Sequence, residues 1–312
     1  MPLYQVPILV NGATHSAEQF RAMVQDLARG AEGITAGTDL KVTQLGTPGT
    51  GVQVASGSGV VRGRFDAFQG SYAIRNQGAD TVDIAATGGS PRSDMLIVRV
   101  QDPQYEGSLN PAVDNINFFQ VISNVSSSAT AIPDGRTGIP LARIDIPAST
   151  ATITNAMIKD IRRVANPRRE SRLLTQSPAS QSTAIGGSAG SYAYFSTAAG
   201  WSIAIPAWAT TARIRIDAAG LRIQTGNLFG GVRATLGASA TLQPTVIDDN
   251  QGSQFRRQST VVADTLTISD AYRGTSQLLR VQAAGLSGNL AQIYADASTT
   301  FVAQFEFEEA AR

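Results

Sequence analysis

The chain has 312 residues and no cysteine, and it has a single histidine, His15. The lack of cysteine excludes disulfide scaffolds, thiolate metal sites and thiol nucleophiles. A Ser–His–Asp centre would depend on His15, and no second histidine can join that residue in a metal site. His15 stands just before a predicted helix, where a residue often packs against the first turn. We therefore predict no catalytic residue and no metal ligand.

Charge is also scarce, at 16% of residues against about 25% in typical soluble domains. It is balanced, with 25 Lys+Arg and 24 Asp+Glu, so no overall field draws the chain to nucleic acid. Lys41 and Lys159 are the only lysines. The excess of arginine has two interpretations, which remain open together. It reflects base composition in a GC-rich genome, or it reflects the use of arginine at protein interfaces.

Long apolar runs are missing, so no stretch approaches the ~20 residues that a membrane-spanning helix needs. The N-terminus lacks the basic and apolar regions of a signal peptide, and we expect a protein that is made soluble in the cytoplasm. The glycine-rich stretch 186–190 has neither the lysine nor the preceding buried strand of a phosphate-binding loop. We expect no cofactor.

One helix is predicted at about residues 16–30. Ser16 and Gln19 form a capping box at its start, and Gly30 ends it. The apolar residues on one of its faces recur at helical spacing; they are Phe20, Met23, Val24 and Leu27. This stripe predicts that the helix packs its apolar face against another part of a protein.

Most of the remaining chain alternates with the period of two that indicates strands, so the predicted fold class is mainly β. We predict a β-rich N-terminal domain over residues 1–165, with a second short helix at 154–164. The Ser/Gln/Ala/Gly-rich stretch 166–190 is predicted to be a linker. Residues 191–312 are predicted to form a jelly-roll-like β-sandwich of roughly eight strands.

Several segments of the first half carry a family resemblance. They are Gly51–Gly63, Gln69–Tyr72, Arg92–Asp102, Ile139–Ala148 and Asp160–Arg162. Together they resemble minor tail proteins of siphophages that infect high-GC Gram-positive (actinobacterial) hosts, over roughly residues 5–165. In the second half, Ile205–Ala209 before an alternating strand is similar to the start of β-sandwich domains appended to phage tail proteins.

The resemblance implies a structural component of a phage tail tip or baseplate, placed in the virion after assembly in the host cytoplasm. It implies symmetric oligomers, often trimers, whose partners are the chain's own copies and other tail or baseplate proteins. The N-terminal domain would then anchor to the tail. Two alternatives remain open: a receptor-binding protein for a cell-wall glycan, and, with less support, a wall-degrading glycosidase.

Two acidic clusters bear on these alternatives. Glu306, Glu308 and Glu309 fall at the end of the chain, where we interpret them as a solvated face that protects a sheet edge rather than as a glycosidase pair. Asp248 and Asp249 are candidates for contact with a glycan or an ion, although they lack the alternating ligands of an EF-hand. We expect no enzyme activity.

Aromatic and basic residues supply the remaining candidates. Trp208 and Tyr272 are candidate glycan contacts, and the aromatic set that we consider for this role, with core packing as its alternative, also includes Tyr192, Tyr194, Trp201 and Tyr294. The basic cluster is predicted to contact acidic neighbouring subunits, or simply to be solvated; it consists of Arg162, Arg163, Arg168 and Arg169, with Arg172 beside it.

Overall fold

The computed structural model describes residues 7–196 and 200–312 and confirms the mainly β fold class. The chain divides into two compact units. Unit 1 comprises residues 1–167 and 310–312, and unit 2 comprises residues 168–309. Unit 1 is therefore built from two separate pieces of the sequence. No helix in the described ranges is long and apolar enough to cross a membrane.

From residue 7 onward, where the structure describes it, unit 1 contains one α-helix, one 3-10 turn and ten strands. In chain order these are α1 (Ala17–Leu27), β1 (Gly33–Ile34), β2 (Val42–Gln44), β3 (Gly51–Val54), β4 (Gly57–Arg62), β5 (Ser71–Asn76), β6 (Asp80–Asp83), β7 (Arg92–Val100), β8 (Asn117–Ile122), β9 (Gly138–Ile146), the turn (Asn155–Met157) and β10 (Ile158–Asp160). They form three antiparallel sheets of order β1-β4-β5, β2-β3-β6 and β10-β9-β7-β8. One apolar core packs residues of all three sheets together.

Helix α1 starts as predicted but turns its apolar stripe outward. Ser16 accepts from the amide of Gln19, whose side chain bonds back to the amide of Ser16. The buried residues of α1 are Gln19 and Arg21, whereas Phe20 is 42% exposed and Leu27 is 74% exposed. Within the described residues this stripe is therefore not buried, and its packing against another part of a protein stays a prediction.

The reason is a polar anchor centred on Arg21. Its Nε donates to the carbonyl of Gln69 at 2.8 Å, and its guanidinium lies 3.4 Å from a carboxylate oxygen of Asp102. It also lies over the rings of Tyr72 and Tyr105, at 5.5 and 5.3 Å from their centroids. Charge-assisted hydrogen bonds of this kind are stronger than neutral ones. They hold the polar face of α1 against β5 and leave the apolar face free.

The predicted second helix is absent, because residues 155–157 form only a 3-10 turn and β10 follows. Strand β10 pairs with β9 in the register Ile158 with Ile144 and Asp160 with Ala142. Helical spacing of three apolar residues is a weak signal over so short a segment, and pairing with an existing strand overrides it.

Outside residues 197–199, unit 2 contains eleven strands. They are β11 (Arg169–Gln176), β12 (Ala193–Tyr194), β13 (Gly200–Ala204), β14 (Thr211–Gln224), β15 (Leu228–Leu236), β16 (Ala240–Thr241), β17 (Thr245–Asp249), β18 (Arg256–Thr267), β19 (Ser276–Gly285), β20 (Gln292–Tyr294) and β21 (Thr300–Glu308). Sheet I has the order β11-β21-β14-β18, with β20 paired to β14. Sheet II has the order β12-β19-β15-β16, with β13 paired to β19 and β17 paired to β15.

The eight longer strands of unit 2 follow the jelly-roll order. In chain order these eight are β11, β13, β14, β15, β17, β18, β19 and β21. The first, eighth, third and sixth (β11, β21, β14 and β18) form sheet I, and the second, seventh, fourth and fifth (β13, β19, β15 and β17) form sheet II. Side chains from both sheets, including Phe195, Ile216 and Phe305, share one buried core. The structure thus has the predicted jelly-roll-like sandwich.

The predicted linker at 166–190 does not match the structure at its start. Residues 169–176 form β11, which pairs with β21 over its whole length. Farther along, Ile185 is buried and bridges Ile293. The composition of this stretch suggested little burial, but backbone hydrogen bonding to β21 does not depend on side-chain composition. The sandwich begins at Arg168 rather than at residue 191.

Candidate functional site

Asp248 and Asp249, the two acidic residues at the end of β17, lie in different environments. The side chain of Asp249 is only 8% exposed and forms an ion pair with Arg256, whose Nε lies 2.9 Å from one of its carboxylate oxygens. Burial alone would raise the pKa of Asp249, but the hydrogen bonds from Arg256 and from the amide of Gln251 more than offset it, so the pKa is lowered. Asp248 is exposed. The described residues contain no group of three or more potential metal ligands.

Tyr272 is far from this pair, and Trp208 lies by Arg168. The hydroxyl of Tyr272 accepts from the amide of Ser239 at 3.0 Å and lies 2.8 Å from its Oγ, and these bonds lower the pKa of Tyr272. Ser239 follows the end of β15, whereas Asp249 pairs with Leu228 at its start. The nine residues of β15 span roughly 25 Å. The structure therefore does not bring the predicted glycan contacts into one site.

The arginines of the predicted basic cluster also lie in different environments. Arg162 is completely buried and donates to both carboxylate oxygens of Asp160 and to the carbonyls of Asp39 and Arg312. It is therefore an internal residue of unit 1, and its predicted role as a subunit contact is wrong. Arg163 is exposed, and its side chain has no hydrogen bond or ion pair in the described ranges.

The other two arginines of the cluster pair with the C-terminal glutamates. Arg168 forms a bidentate ion pair with Glu309, and its guanidinium lies 5.4 Å from the ring centroid of Trp208. Arg169 pairs with Glu308 at 2.8 Å. A contact of Arg168 or Arg169 with a neighbouring subunit stays a prediction.

The glutamates of β21 do not protect a sheet edge, because β21 lies between β11 and β14. Glu306 and Glu308 point outward and pair with Arg169 and Arg213 on the two flanking strands. Cross-strand pairs of opposite charge stabilise a sheet. The interpretation of this cluster as an edge device is wrong, because its carboxylates form ion pairs within the sheet.

The structure reveals an arginine–tyrosine cluster on the outer face of sheet II. The guanidinium carbon of Arg233 lies 3.9 Å from the ring centroid of Tyr192, and that of Arg280 lies 3.6 Å from the ring centroid of Tyr194. Gln282 stands between them and accepts from the Nε of Arg233 at 2.8 Å. We call these five residues the Arg–Tyr cluster.

Two contacts fix the rings of this cluster. The hydroxyl of Tyr194 lies 3.0 Å from the Oγ1 of Thr235. The hydroxyl of Tyr192 stands over Gly231, where an added Cβ atom would lie 2.2 Å from it. The sequence analysis named the two tyrosines but not their arginine partners. No local pattern could have joined them, because the cluster depends on the pairing of β15 and β12 with β19.

A second surface is the outward face of α1, which carries the apolar stripe that the sequence predicts. Its stripe is continued by the N-terminal segment, where Leu9 is 79% exposed. Pro7 and Ile8 face Met23 and Leu27 across a cavity of about 280 Å³. We call this combination of the α1 stripe and residues 7–10 the α1 face.

Comparison with known proteins gives no family. No protein-family model matches the chain, and no curated protein matches it. Among solved structures, it is similar to the infectious bursal disease virus VP2 subviral particle, at 13% identity over 90% of this chain and 78% of that chain, with a TM-score of 0.26. It is also similar to the mosquito-larvicidal Cry4Aa toxin from Bacillus thuringiensis, at 10% identity over 93% and 55% of the respective chains, with a TM-score of 0.23. At such TM-scores neither similarity carries an argument.

Proposed function

We propose that the chain is a non-enzymatic structural component of a phage virion, in the tail tip or baseplate, that assembles with its own copies as a symmetric oligomer. The α1 face is the observation that carries this proposal. The tail location rests on the resemblance of the first half to siphophage minor tail proteins. Other tail or baseplate proteins are proposed as further partners.

The α1 face is better explained by a partner than by solvent. A capped helix is held rigidly by its polar side, and its apolar side chains are presented next to the apolar segment 7–10. Contiguous apolar surface of this kind usually marks an interaction site, since each exposed Å² costs about 25 cal/mol. In a closed symmetric oligomer the same patch of each copy is covered by a neighbouring copy.

The absence of enzyme activity is part of the proposal and rests on where the carboxylates are used. Glu306, Glu308, Glu309 and Asp249 are each held by an arginine. His15 packs edge-on against Phe20, with ring centroids 6.1 Å apart, and accepts from the amide of Leu9. These contacts give all five residues structural roles.

Light scattering during size-exclusion chromatography tests the assembly. The wild-type chain is expected to form a trimer, and the double variant Phe20→Glu/Leu27→Glu is expected to be monomeric with unchanged thermal stability. Leu173→Glu is the matched control, because Leu173 is 68% exposed but lies on β11 of unit 2. A wild-type monomer at all concentrations, or an oligomer that survives the double substitution, would contradict the proposal. Mass spectrometry of purified phage particles tests the virion location.

A second candidate function is recognition of a host cell-wall glycan by unit 2. The Arg–Tyr cluster favours it, because it is a fixed set of aromatic and hydrogen-bonding groups on an open sheet face. The originally predicted contacts, Asp248, Asp249, Trp208 and Tyr272, do not share a site and do not support it.

A further inference from the structure

The two arginines of the Arg–Tyr cluster have no anionic partner in the chain. No ion pair joins Arg233 or Arg280 to a carboxylate within residues 7–196 and 200–312, and the residues outside these ranges include no Asp or Glu. Most arginines of unit 2 differ in this respect; examples are Arg213 with Glu308, Arg256 with Asp249, and Arg257 with Asp296. The cluster therefore has two uncompensated positive charges.

The hydrogen-bonding capacity of these arginines is also largely unused. The side chain of Arg280 makes no hydrogen bond in the part of the chain that the structure describes, and the side chain of Arg233 uses only its Nε, toward Gln282. Both side chains are half-buried, so their remaining donors can still meet a ligand at the surface. A planar guanidinium presents its donors in a fork that matches the oxygens of phosphate and carboxylate groups.

Stacking on tyrosine rings holds both guanidinium groups in place before a ligand binds. Each guanidinium lies within 4 Å of a tyrosine ring centroid, and the rings are fixed by Thr235 and by the close approach to Gly231. Gln282 is buried and cannot move freely. Groups that are ordered in advance lose little side-chain entropy on binding, so more of the interaction energy appears as affinity.

The strand register sets the spacing of the two charges. Arg233 is opposite Gln282, and Arg280 is opposite Thr235, so the two arginines are diagonal neighbours on β15 and β19. Diagonal neighbours have Cα atoms roughly 7–8 Å apart. Two arginine side chains whose Cα atoms have this spacing can reach one phosphate together or two phosphates joined by a short polyol.

We infer that the Arg–Tyr cluster is a binding site for the phosphate groups of a phosphodiester polymer, of the polyol-phosphate kind found in cell walls. This inference goes beyond the proposed assembly function and does not depend on it, since a monomer would bind as well. Each phosphodiester group presents two charged, strongly accepting oxygens, and the groups repeat along one polymer, so neighbouring groups can meet the two guanidinium groups in turn. A polymer of repeated negative charge also matches two adjacent cations.

Isothermal titration calorimetry of the whole chain with poly(glycerol phosphate) at low salt tests the site. Arg233→Gln/Arg280→Gln is expected to weaken binding at least ~10-fold, because both charged donors to the phosphate oxygens are lost. Arg213→Gln/Arg215→Gln is the matched control: it removes the same charge from sheet I and is expected to change affinity less than about 2-fold. Thermal melting establishes that each variant is folded.

Two further variants test the geometry rather than the charge. Arg233→Lys/Arg280→Lys keeps both charges but loses the planar forks, and is expected to bind more weakly than wild type. Gly231→Ala pushes the Tyr192 ring away and is expected to weaken binding without any change of charge. Binding by the Lys variant equal to wild type would overturn the role assigned to the stacked forks.

Other outcomes would overturn the inference as a whole. Absence of binding to poly(glycerol phosphate) by the wild-type chain would do so, as would an equal loss of affinity in the sheet I control. Poly-L-glutamate is the second probe. If it binds as tightly as the phosphate polymer and with the same sensitivity to the variants, the cluster is a contact for acidic protein instead.

Discussion

Arg168 and Glu309, the first and last residues of unit 2, are joined by a bidentate ion pair and by their backbones. The guanidinium donates to the two carboxylate oxygens at 2.8 and 2.7 Å, and the amide of Glu309 donates to the carbonyl of Arg168 at 3.1 Å. These bonds raise the pKa of Arg168. Glu309 is buried, although about half of the Arg168 side chain is exposed. The pair closes the sandwich where the chain enters and leaves it.

We therefore expect Glu309→Gln to lower the free energy of unfolding of unit 2 by about 1–2 kcal/mol, because one charged partner is lost in a partly solvated setting. Hydrogen exchange of the β11 and β21 amides measures this change. Glu308→Gln is the control, since Glu308 pairs with Arg169 and Arg213, which are both more than half exposed. An equal effect of the two substitutions would contradict the special role of the Arg168–Glu309 pair.

Asp249 is expected to act in stability rather than in ion binding. Asp249→Asn leaves the buried guanidinium of Arg256 without its anion, and should cost about 3 kcal/mol of unfolding free energy. Asp248→Asn, one residue away and exposed, should change stability by less than about 0.5 kcal/mol. Chemical denaturation measures both. A rise in wild-type thermal stability on adding Ca²⁺ that Asp249→Asn abolishes would instead support the ion site.

Sequence periodicity predicted the class of fold well, because alternation of apolar and polar residues is a local property. Strands such as β14 and β21 could be placed from Ile214, Ile216, Phe305 and Phe307, which all face the core. Strand β11 could not, because its inward side chains are mixed in character and its stability comes from pairing with β21, far away in sequence.

Sites were harder to predict than strands, because each site depends on contacts between residues that are distant in sequence. The apolar stripe of α1 predicted packing, but the direction of the helix is decided by Arg21 and its partners at Gln69 and Asp102. Asp249 could be singled out as acidic, yet its role follows from Arg256, which lies across a loop. Partners that are distant in sequence decide whether a charged residue is structural or free to bind a ligand.

Acid should destabilise unit 2 through its buried ion pairs. Bidentate hydrogen bonds from Arg257 lower the pKa of Asp296, and the pKa of Asp249 is lowered as well. A carboxyl with a lowered folded-state pKa binds a proton more readily when unfolded, where its pKa is about 3.9. Its stabilising contribution is therefore complete above about pH 4 and is lost as the pH falls through the folded-state value.

The measurement is the thermal midpoint of unfolding between about pH 7 and pH 2. We expect these groups to cause little change in the midpoint above pH ~5, where their stabilising contribution is complete, and a steep fall below pH ~4, with a shallower fall in Asp296→Asn. Asp248→Asn, which forms no ion pair in the described ranges, should keep the wild-type slope. If Asp296→Asn also kept the wild-type slope, the loss of stability at low pH would not come from the Asp296–Arg257 ion pair.

Gly70 should be essential for the docking of α1. Its φ is +76°, which L side chains rarely adopt, and an added Cβ would lie 2.6 Å from the backbone of Arg21. Gly70→Ala is expected to cost about 1–3 kcal/mol and to speed hydrogen exchange in α1. Gly78→Ala is the control, because a Cβ there meets open space. Since the α1 face would be displaced, Gly70→Ala should also weaken self-association, whereas Gly78→Ala should not.

The last three residues should stabilise unit 1, although unit 2 precedes them in sequence. The amide of Arg312 donates to the carbonyl of Gly37 at 2.8 Å, and its carbonyl accepts from Arg162 at 3.0 Å. Ala311 packs against the core of unit 1. Deletion of residues 310–312 is expected to cost unit 1 about 2–4 kcal/mol, because a fully buried guanidinium loses an acceptor and apolar contact is lost.

Hydrogen exchange resolved by unit measures this effect. The deletion should speed exchange in β9 and β10 and leave the interior strands of unit 2 protected. Arg312→Ala is the matched control, since both hydrogen bonds use backbone atoms of Arg312 and survive the substitution. It should cost clearly less than the deletion. If the deletion left β9 and β10 unchanged, or loosened only unit 2, the assignment of residues 310–312 to the fold of unit 1 would be refuted.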